Sequence, residues 1–349
     1  MADLLTPESI EHYSLDKNLW PTLMERLQTE DNGTKYLEYL YDYIKKELAS
    51  DLRLRAAALV LMKEVGQHFD IYPPQIMIQG ADIDPNPCGD GGFAVVYKGL
   101  YQGKAVAGKR PKADGPTFAE PHRMAKMFRR EVAIWCLLEH PYIQPFIGAY
   151  ALDGTPAVYA VSPWCERGTI KASEHVKTLS QTHVNRWIFE IAQGLKYLHS
   201  CGIIHGDLRG DNILISDDGK VQIADFGLVT YSEAVLGTTS KELQAAGARP
   251  WMAPEILDEL DIDLRRTESS DIYAFACTIW ELYMKGAQPW PGVFYPLPYK
   301  EVMNGNRPLR PSAMPDGLWD IVQKCWDQDP AARPHIDDVI ISLDAAHIN

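Results

Sequence analysis

The chain has 349 residues, 46% of them hydrophobic, with 34 Lys and Arg against 47 Asp and Glu, a formal charge of −13. That length and apolar content suit about two packing units with cores of their own and exclude wholesale disorder. The acidic balance excludes broad, non-specific binding to nucleic acid or to an anionic membrane, since both need a basic face; the one Lys/Arg-rich stretch, 109–126, reads as solvated surface. The six cysteines (Cys88, Cys136, Cys165, Cys201, Cys277 and Cys325) are scattered with no CxxC pair, the usage of reduced intracellular thiols. No basic stretch followed by an apolar run opens the chain, and the longest apolar run, Ala56–Met62, is too short to span a bilayer. The expectation is a soluble, cytoplasmic protein.

In chain order, residues 1 to about 70 read as helical. Thr6-Pro7-Glu8 combines an N-cap, a proline at the first helical position and an acid in the first turn. Asn32-Gly33 predicts a break. Leu37, Leu40, Tyr41, Ile44 and Leu48 then recur at helical spacing, as do Leu54, Ala58, Leu61, Val65 and Phe69. These stripes need a partner surface and are too short for a coiled coil, so they are expected to pack on each other or on the next domain. Residues 71–87 are proline-rich and predict a boundary. Short β-type runs follow at Ala94–Tyr97, Lys104–Lys109, Ile143–Tyr150 and Ala157–Val161, with one helix over Pro121–Leu138, which predicts a small antiparallel sheet. From about 165 the pattern is mostly helical. The class is α+β.

Three groups of residues have the character of a chemical site. Cys88-Gly89-Asp90-Gly91-Gly92-Phe93-Ala94-Val95-Val96 is a glycine-rich turn between two β runs. Such a turn lets backbone amides approach a phosphate, and alone it fits a plain hairpin equally well. Its G-x-G-x-x-A spacing, with no helix directly after, disfavours a dinucleotide fold. Val106-Ala107-Gly108-Lys109 ends an apolar strand run in a lysine; buried behind a phosphate loop, that ammonium needs a carboxylate, and Glu131 or Glu120 can supply it. The third group is the most specific. In Ile203-Ile204-His205-Gly206-Asp207-Leu208-Arg209-Gly210-Asp211-Asn212, Asp207 and Asn212 are five apart in a loop, and Asp225 follows a hairpin at Asp217-Asp218-Gly219. Two carboxylates and an amide oxygen around one point suit a Mg–nucleotide: hard oxygen ligands for the metal, and one carboxylate to take a proton from an acceptor hydroxyl.

With these motifs in place the chain resembles eukaryotic protein kinases from about 85 to 347. The resemblance rests on the glycine-rich loop, Lys109, Glu131, the His-Arg-Asp-like His205-Gly206-Asp207, Asn212, Asp225-Phe226-Gly227 and Ala253-Pro254-Glu255. It extends to Ser270-Asp271-Ile272-Tyr273-Ala274-Phe275 and to Cys325-Trp326-Asp327-Gln328-Asp329-Pro330 with Arg333-Pro334. Trp251-Met252 and this ending are similar to the tyrosine-kinase-like group, and residues 1–87 look like the leader of kinases abundant in mushroom-forming fungi. Small-molecule phosphotransferases of the aminoglycoside type share the His-Gly-Asp pattern but lack the Ala-Pro-Glu segment and the helix after Ser270.

The resemblance implies a bilobal kinase fold: a helical extension over 1–80, a small antiparallel N-lobe with one helix over 85–162, and a mostly helical C-lobe over 163–347. It implies ATP- and Mg²⁺-dependent transfer of the γ-phosphate to serine or threonine hydroxyls of protein substrates. The alternatives are a pseudokinase or nucleotide-binding scaffold, or a dual-specificity or tyrosine kinase. Neither nucleic acid nor membrane is an expected partner, and the N-terminal helices are expected to dock on the kinase domain in cis. By the same resemblance Gly89, Asp90, Gly91 and Gly92 cover the triphosphate, and Val96, Ala107 and Leu214 enclose the adenine. Ser162 stands at the back of that pocket, and Pro163 and Cys165 read the adenine edge. Lys109, oriented by Glu131, holds the α- and β-phosphates. Asp207 is the base, Arg209 screens the γ-phosphate, and Asn212 and Asp225 bind Mg²⁺. Glu255 and Arg333 form an ion pair, and Asp271 braces the catalytic loop. Three positions depart from the pattern: Ala94 for the third glycine, Gly206 for the arginine of His-Arg-Asp, and Ala248 for a threonine beside the catalytic Asp.

Overall fold

The computed structural model describes all residues except 49–50, 91–93, 113–120, 153–156, 172–177, 232–247, 258–265, 291–296 and 349; of residues 52, 90, 121–124, 230–231 and 297–298 it describes the backbone alone. Glu120, the alternative partner for Lys109, lies outside the described residues. The chain divides into two units, Met1–Glu139 with Pro145–Trp164, and His140–Gln144 with Cys165–Asn349.

In the first unit, α1 (Pro7–Leu15) begins as its capping residues require, with the Thr6 hydroxyl accepting from the Ser9 amide at 3.2 Å. After α2 (Trp20–Leu27), α3 runs over Glu30–Lys46 and contains the Asn32-Gly33 pair, so the predicted break is absent. Thr29 caps α3 by accepting from the Asn32 amide. Gly33 serves close packing instead: a Cβ there would sit 2.7 Å from Cδ2 of Phe69 on α4 (Leu52–Phe69). Both predicted apolar stripes are buried apart from the half-buried Phe69. Helix α4 packs against α1, α3 and α5 (Pro121–Trp135). Arg55 Nη2 donates to the Leu137 carbonyl at 3.1 Å, Gln67 Nε2 donates to that of Lys126 at 3.0 Å, and Arg129 pairs with Asp70 and lies over the Tyr72 ring.

Among the described residues the sheet of this unit has six strands: β1 (Met77–Ile78), β2 (Asp82–Asp90), β3 (Ala94–Tyr101), β4 (Lys104–Pro111), β5 (Gly148–Ala151) and β6 (Val158–Pro163), in the order β1-β5-β6-β4-β3-β2. It is mixed, which corrects the antiparallel expectation: β1 pairs parallel with β5. The proline-rich segment predicted as a boundary supplies β1 and most of β2. Prolines 85 and 87 are tolerated because β2 is an edge strand whose register against β3 is interrupted on both sides of Pro87. Gly148 admits β1, since a Cβ there would overlap Ile78 Cγ2. The predicted strand Ile143–Tyr150 forms only from Gly148, because Pro145 cannot donate to a ladder. Tyr97, Val106, Tyr159 and Val161 make the core on one face.

The second unit is built around α6 (Gln181–Ser200) and a helix over Glu268–Tyr283. With a short turn of helix, α7 (Pro254–Leu257), before it, we label this helix α8. Every residue of α8 from Ser270 to Tyr283 is buried, the pattern of a helix enclosed on all sides. It starts at a capping box between Thr267 and Ser270. Short strands β7 (Ile203–Ile204), β8 (Ile213–Ile215), β9 (Val221–Ile223) and β10 (Thr230–Tyr231) pair as β8 with β9 and β7 with β10. Arg333 makes two parallel bonds to Glu255, at 2.7 and 2.8 Å, the planar geometry that makes an arginine–carboxylate pair specific. Helices α9 (Leu297–Met303), α10 (Asp316–Cys325) and α11 (Ile336–Ala345) complete the unit. Among the described residues no helix is long and apolar enough to cross a membrane.

Candidate active site

Strand register places one set of residues in the first unit. Val96 lies opposite Lys109, Lys98 opposite Ala107, Ala107 opposite Ser162, and Lys109 opposite Ala160. Directly opposed residues share a face, so Val96, Ala107, Lys109 and Ser162 line one side of the sheet and the Tyr97 core lines the other. Lys109 Nζ reaches Glu131 Oε1 on α5 at 2.6 Å, with side chains 16% and 5% exposed. Gly89 pairs with Val96 and Asp90 with Val95; Gly91 and Gly92 lie outside the described residues, as does the Asp90 side chain.

In the second unit the loop between β7 and β8 is held by hydrogen bonds with Asp271, Ala224, Ala248 and Glu281. The buried Asp271 carboxylate accepts from the amides of His205 and Gly206, both at 2.8 Å, and lies 3.0 Å from His199 Nε2. His205 Nδ1 accepts from the Asp207 amide at 3.2 Å, so its Nε2 carries the proton and donates to the Ala224 carbonyl at 3.0 Å. The Ala224 amide donates to the Asn212 carbonyl at 2.9 Å. These bonds tie the segment that ends in Asp225 to the loop that carries Asp207 and Asn212.

The Asp207 carboxylate is oriented by two donors. Asn212 Nδ2 donates to Asp207 Oδ2 at 2.9 Å and to its carbonyl at 2.8 Å, and the Ala248 amide donates to Oδ1 at 3.1 Å. The backbone of Ala248 therefore contacts Asp207 where a threonine hydroxyl was missing from the sequence pattern. With its amide nitrogen engaged, Asn212 has its Oδ1 left as a hard donor, and Asp225, exposed at φ 64°, adds a carboxylate. That donor set fits Mg²⁺.

Arg209 pairs with Asp211, approaches Asp207 Oδ2 at 3.5 Å and lies over the Trp251 ring. Lys171 pairs with the same Asp211 at 2.8 Å and lies over the same ring. Trp251 Nε1 and the Gly210 amide both donate to Glu281 Oε2, at 3.0 and 2.9 Å. Burial pushes the Glu281 carboxyl up to about 7. Lys171 and Glu281 were not singled out in the sequence, because each belongs to no short motif and meets the loop only through the fold; Asp211 stood inside the quoted loop string but was given no role there. Leu214 is half-buried on β8, and the Cys165 carbonyl accepts from the Gly168 amide at 3.0 Å.

Protein kinases combine these features: a sheet lysine held by a helix carboxylate, and a loop that sets a carboxylate and an amide oxygen around one point. The protein tyrosine and serine/threonine kinase family matches residues 85–343, and the chain belongs to that family. It is similar to a probable serine/threonine-protein kinase of Dictyostelium discoideum, 32% identical over 72% of this chain and 26% of that one. Serine/threonine/tyrosine-protein kinase HT1 of Arabidopsis thaliana is 31% identical over 74% of this chain and 65% of its own length. Dual specificity protein kinase shkB of D. discoideum is 31% identical over 70% and 37%. The chain thus spans from about a quarter to two thirds of the length of these relatives.

Proposed function

We propose that the protein is an ATP- and Mg²⁺-dependent protein kinase that phosphorylates serine and threonine in protein substrates in the cytoplasm. The observation that carries this reading is the orientation of Asp207: Asn212 and the Ala248 amide hold its two oxygens, and the Asn212 oxygen is left for a cation. Bound Mg²⁺ supplies charge neutralisation at the phosphates. Asp207 accepts the proton of the acceptor hydroxyl, and Lys109, steadied by Glu131, binds the α- and β-phosphates. In this reading Val96, Ala107 and Leu214 would give the adenine apolar contact, Ser162 and Cys165 would meet its edge, Gly89 to Gly92 would supply backbone amides, and Arg209 would pair with the γ-phosphate. The test is ADP release on a mixed pool of serine, threonine and tyrosine peptides, with Asp207→Asn as the control. Release equal in the two proteins removes the reading; tyrosine turnover comparable to that of serine makes the enzyme dual-specificity.

Gly206 offers no side-chain cation to a phosphorylated activation segment, and so activity is expected to be independent of phosphate there. Phosphatase-treated enzyme and the triple variant Thr238→Ala/Thr239→Ala/Ser240→Ala should keep turnover within about tenfold of the untreated protein, roughly 1.4 kcal/mol in barrier. A larger loss at saturating ATP contradicts this.

The N-terminal helices are read as part of the folded kinase. The bonds from Arg55 and Gln67 to backbone near α5, and the Arg129–Asp70 pair, support docking in cis. Removing residues 1–70 should lower the melting temperature by about 10 °C, the effect of losing roughly 3–4 kcal/mol in a unit of this size, and should increase aggregation. Unchanged melting and solubility would make the helices an independent module.

A further inference from the structure

The catalytic loop lacks the arginine that its motif resembles, and the structure shows what fills that space. Gly206 has φ 78°, and a Cβ there would overlap Arg266 Cδ, lie 3.0 Å from Arg266 Nε and 2.9 Å from the Leu228 carbonyl. Arg266 is itself buried, 4% exposed, and its Nε donates to the Gly206 carbonyl at 2.8 Å. An arginine side chain leaving residue 206 and the Arg266 side chain compete for the same volume, so one excludes the other.

Arg266 also stands at a mechanically favourable place. It directly precedes Thr267, the N-cap of the buried helix α8, and Asp271 lies one turn further along. Asp271 holds the N–H side of residues 205 and 206, and Arg266 holds the carbonyl of residue 206. The next peptide nitrogen belongs to Asp207. One end of one rigid helix therefore presents an anion and a cation to successive peptide groups of the loop, on the N-terminal side of the candidate base. Arg266, Asp207, Ala248, Trp251 and Asp271 line a cavity of about 20 Å³, room for a water or two.

We propose that Arg266 is the positioning cation of the catalytic loop. It takes over from the chain before α8 the role for which the loop has no arginine of its own, and the φ of 78°, the Leu228 carbonyl and the Arg266 side chain together leave residue 206 room only for glycine. This inference rests on the kinase reading above for its catalytic consequence, but its structural claim is independent. Because Arg266 is fixed by burial, the loop is ordered without a phosphate to recruit.

The test compares full-length wild type with Arg266→Ala, Arg266→Gln and Arg266→Lys by two readouts. Hydrogen–deuterium exchange over residues 203–212 reports loop order whether or not the chain is a kinase. Steady-state kinetics separate kcat from the KM for ATP. The expected result is faster exchange in the loop and a fall in kcat of about tenfold or more for the Ala and Gln variants, with the KM for ATP within about threefold. Lys should recover most of the kcat, because a lysine keeps the charge and can still donate to the Gly206 carbonyl. Added guanidinium should partly restore the Ala variant, whose cavity is enlarged by the lost side chain. If Ala fails to fold, the Lys and Gln pair decides, since both can donate a hydrogen bond and one is charged. A folded Ala or Gln variant with kcat within threefold of wild type overturns the inference, and so does a Lys variant no better than Gln. A wild type that turns over no peptide while the Ala variant loosens the loop refutes the kinase reading and upholds the positioning role; a wild type that turns over no peptide and a loop unchanged in the Ala variant overturns both.

Discussion

Asp207→Asn should lower the turnover number by roughly 10²-fold or more, the range for removing a general base, with little change in ATP affinity. The geometry makes this substitution more severe than a loss of basicity alone. Both carboxylate oxygens accept hydrogen bonds, Oδ2 from Asn212 and Oδ1 from the Ala248 amide. An asparagine has one acceptor and one NH₂, so in either orientation a donor faces a donor. The side chain must turn away from one of them, and the loop loses part of the arrangement that leaves the Asn212 oxygen for a cation. Single-turnover phosphoryl transfer and nucleotide binding, measured on the same preparation, separate the two effects. Turnover near that of wild type would show that Asp207 is not the base.

Lys109→Met should abolish measurable phosphoryl transfer and leave a folded but less stable protein. It removes the phosphate contact proposed for Lys109 and takes the ammonium away from Glu131, only 5% exposed at 2.6 Å. Deleting one partner of a fully buried ion pair costs about 3–5 kcal/mol; this pair is partly buried, so the cost is smaller, and the melting temperature should fall modestly. A second substitution tells the two losses apart: Glu131→Gln in the Lys109→Met background removes the carboxylate charge that faced Lys109 and should not recover transfer, whatever it does to stability. Undiminished transfer by folded Lys109→Met protein would sink the lysine assignment.

What was legible in the sequence followed the range of the interactions. Helix α1 was readable because its cap, proline and first acid are contiguous, and the stripes of α3 and α4 because burial repeats with the helical period. Asp207 with Asn212 was readable because the two lie five apart in one short string, whereas the residues alone left Glu131 and Glu120 open as the partner of Lys109, and the contact at 2.6 Å is with Glu131. The Asn32-Gly33 break failed for a reason no local pattern contains: that glycine answers to Phe69 on another helix. Strand β1 was missed in the same way, since it exists because Gly148, far along the chain, leaves room for it. In the site, Ala248 looked like a deficiency because sequence displays side chains, and the contact it makes is through its backbone. Lys171, Glu281 and Arg266 carry no motif, and only the packing around α8 and Trp251 brings them to the loop.

The Asp271 carboxylate has a consequence for motion. It accepts the amides of His205 and Gly206 from inside a helix whose residues from Ser270 to Tyr283 are all buried. Amide protons of this kind exchange with solvent only when the cooperative unit around them opens, on the slow timescale of sub-global unfolding. The backbone at residues 205 and 206 is therefore expected to exchange more slowly than loop segments with fewer buried bonds, which native-state hydrogen exchange would read directly.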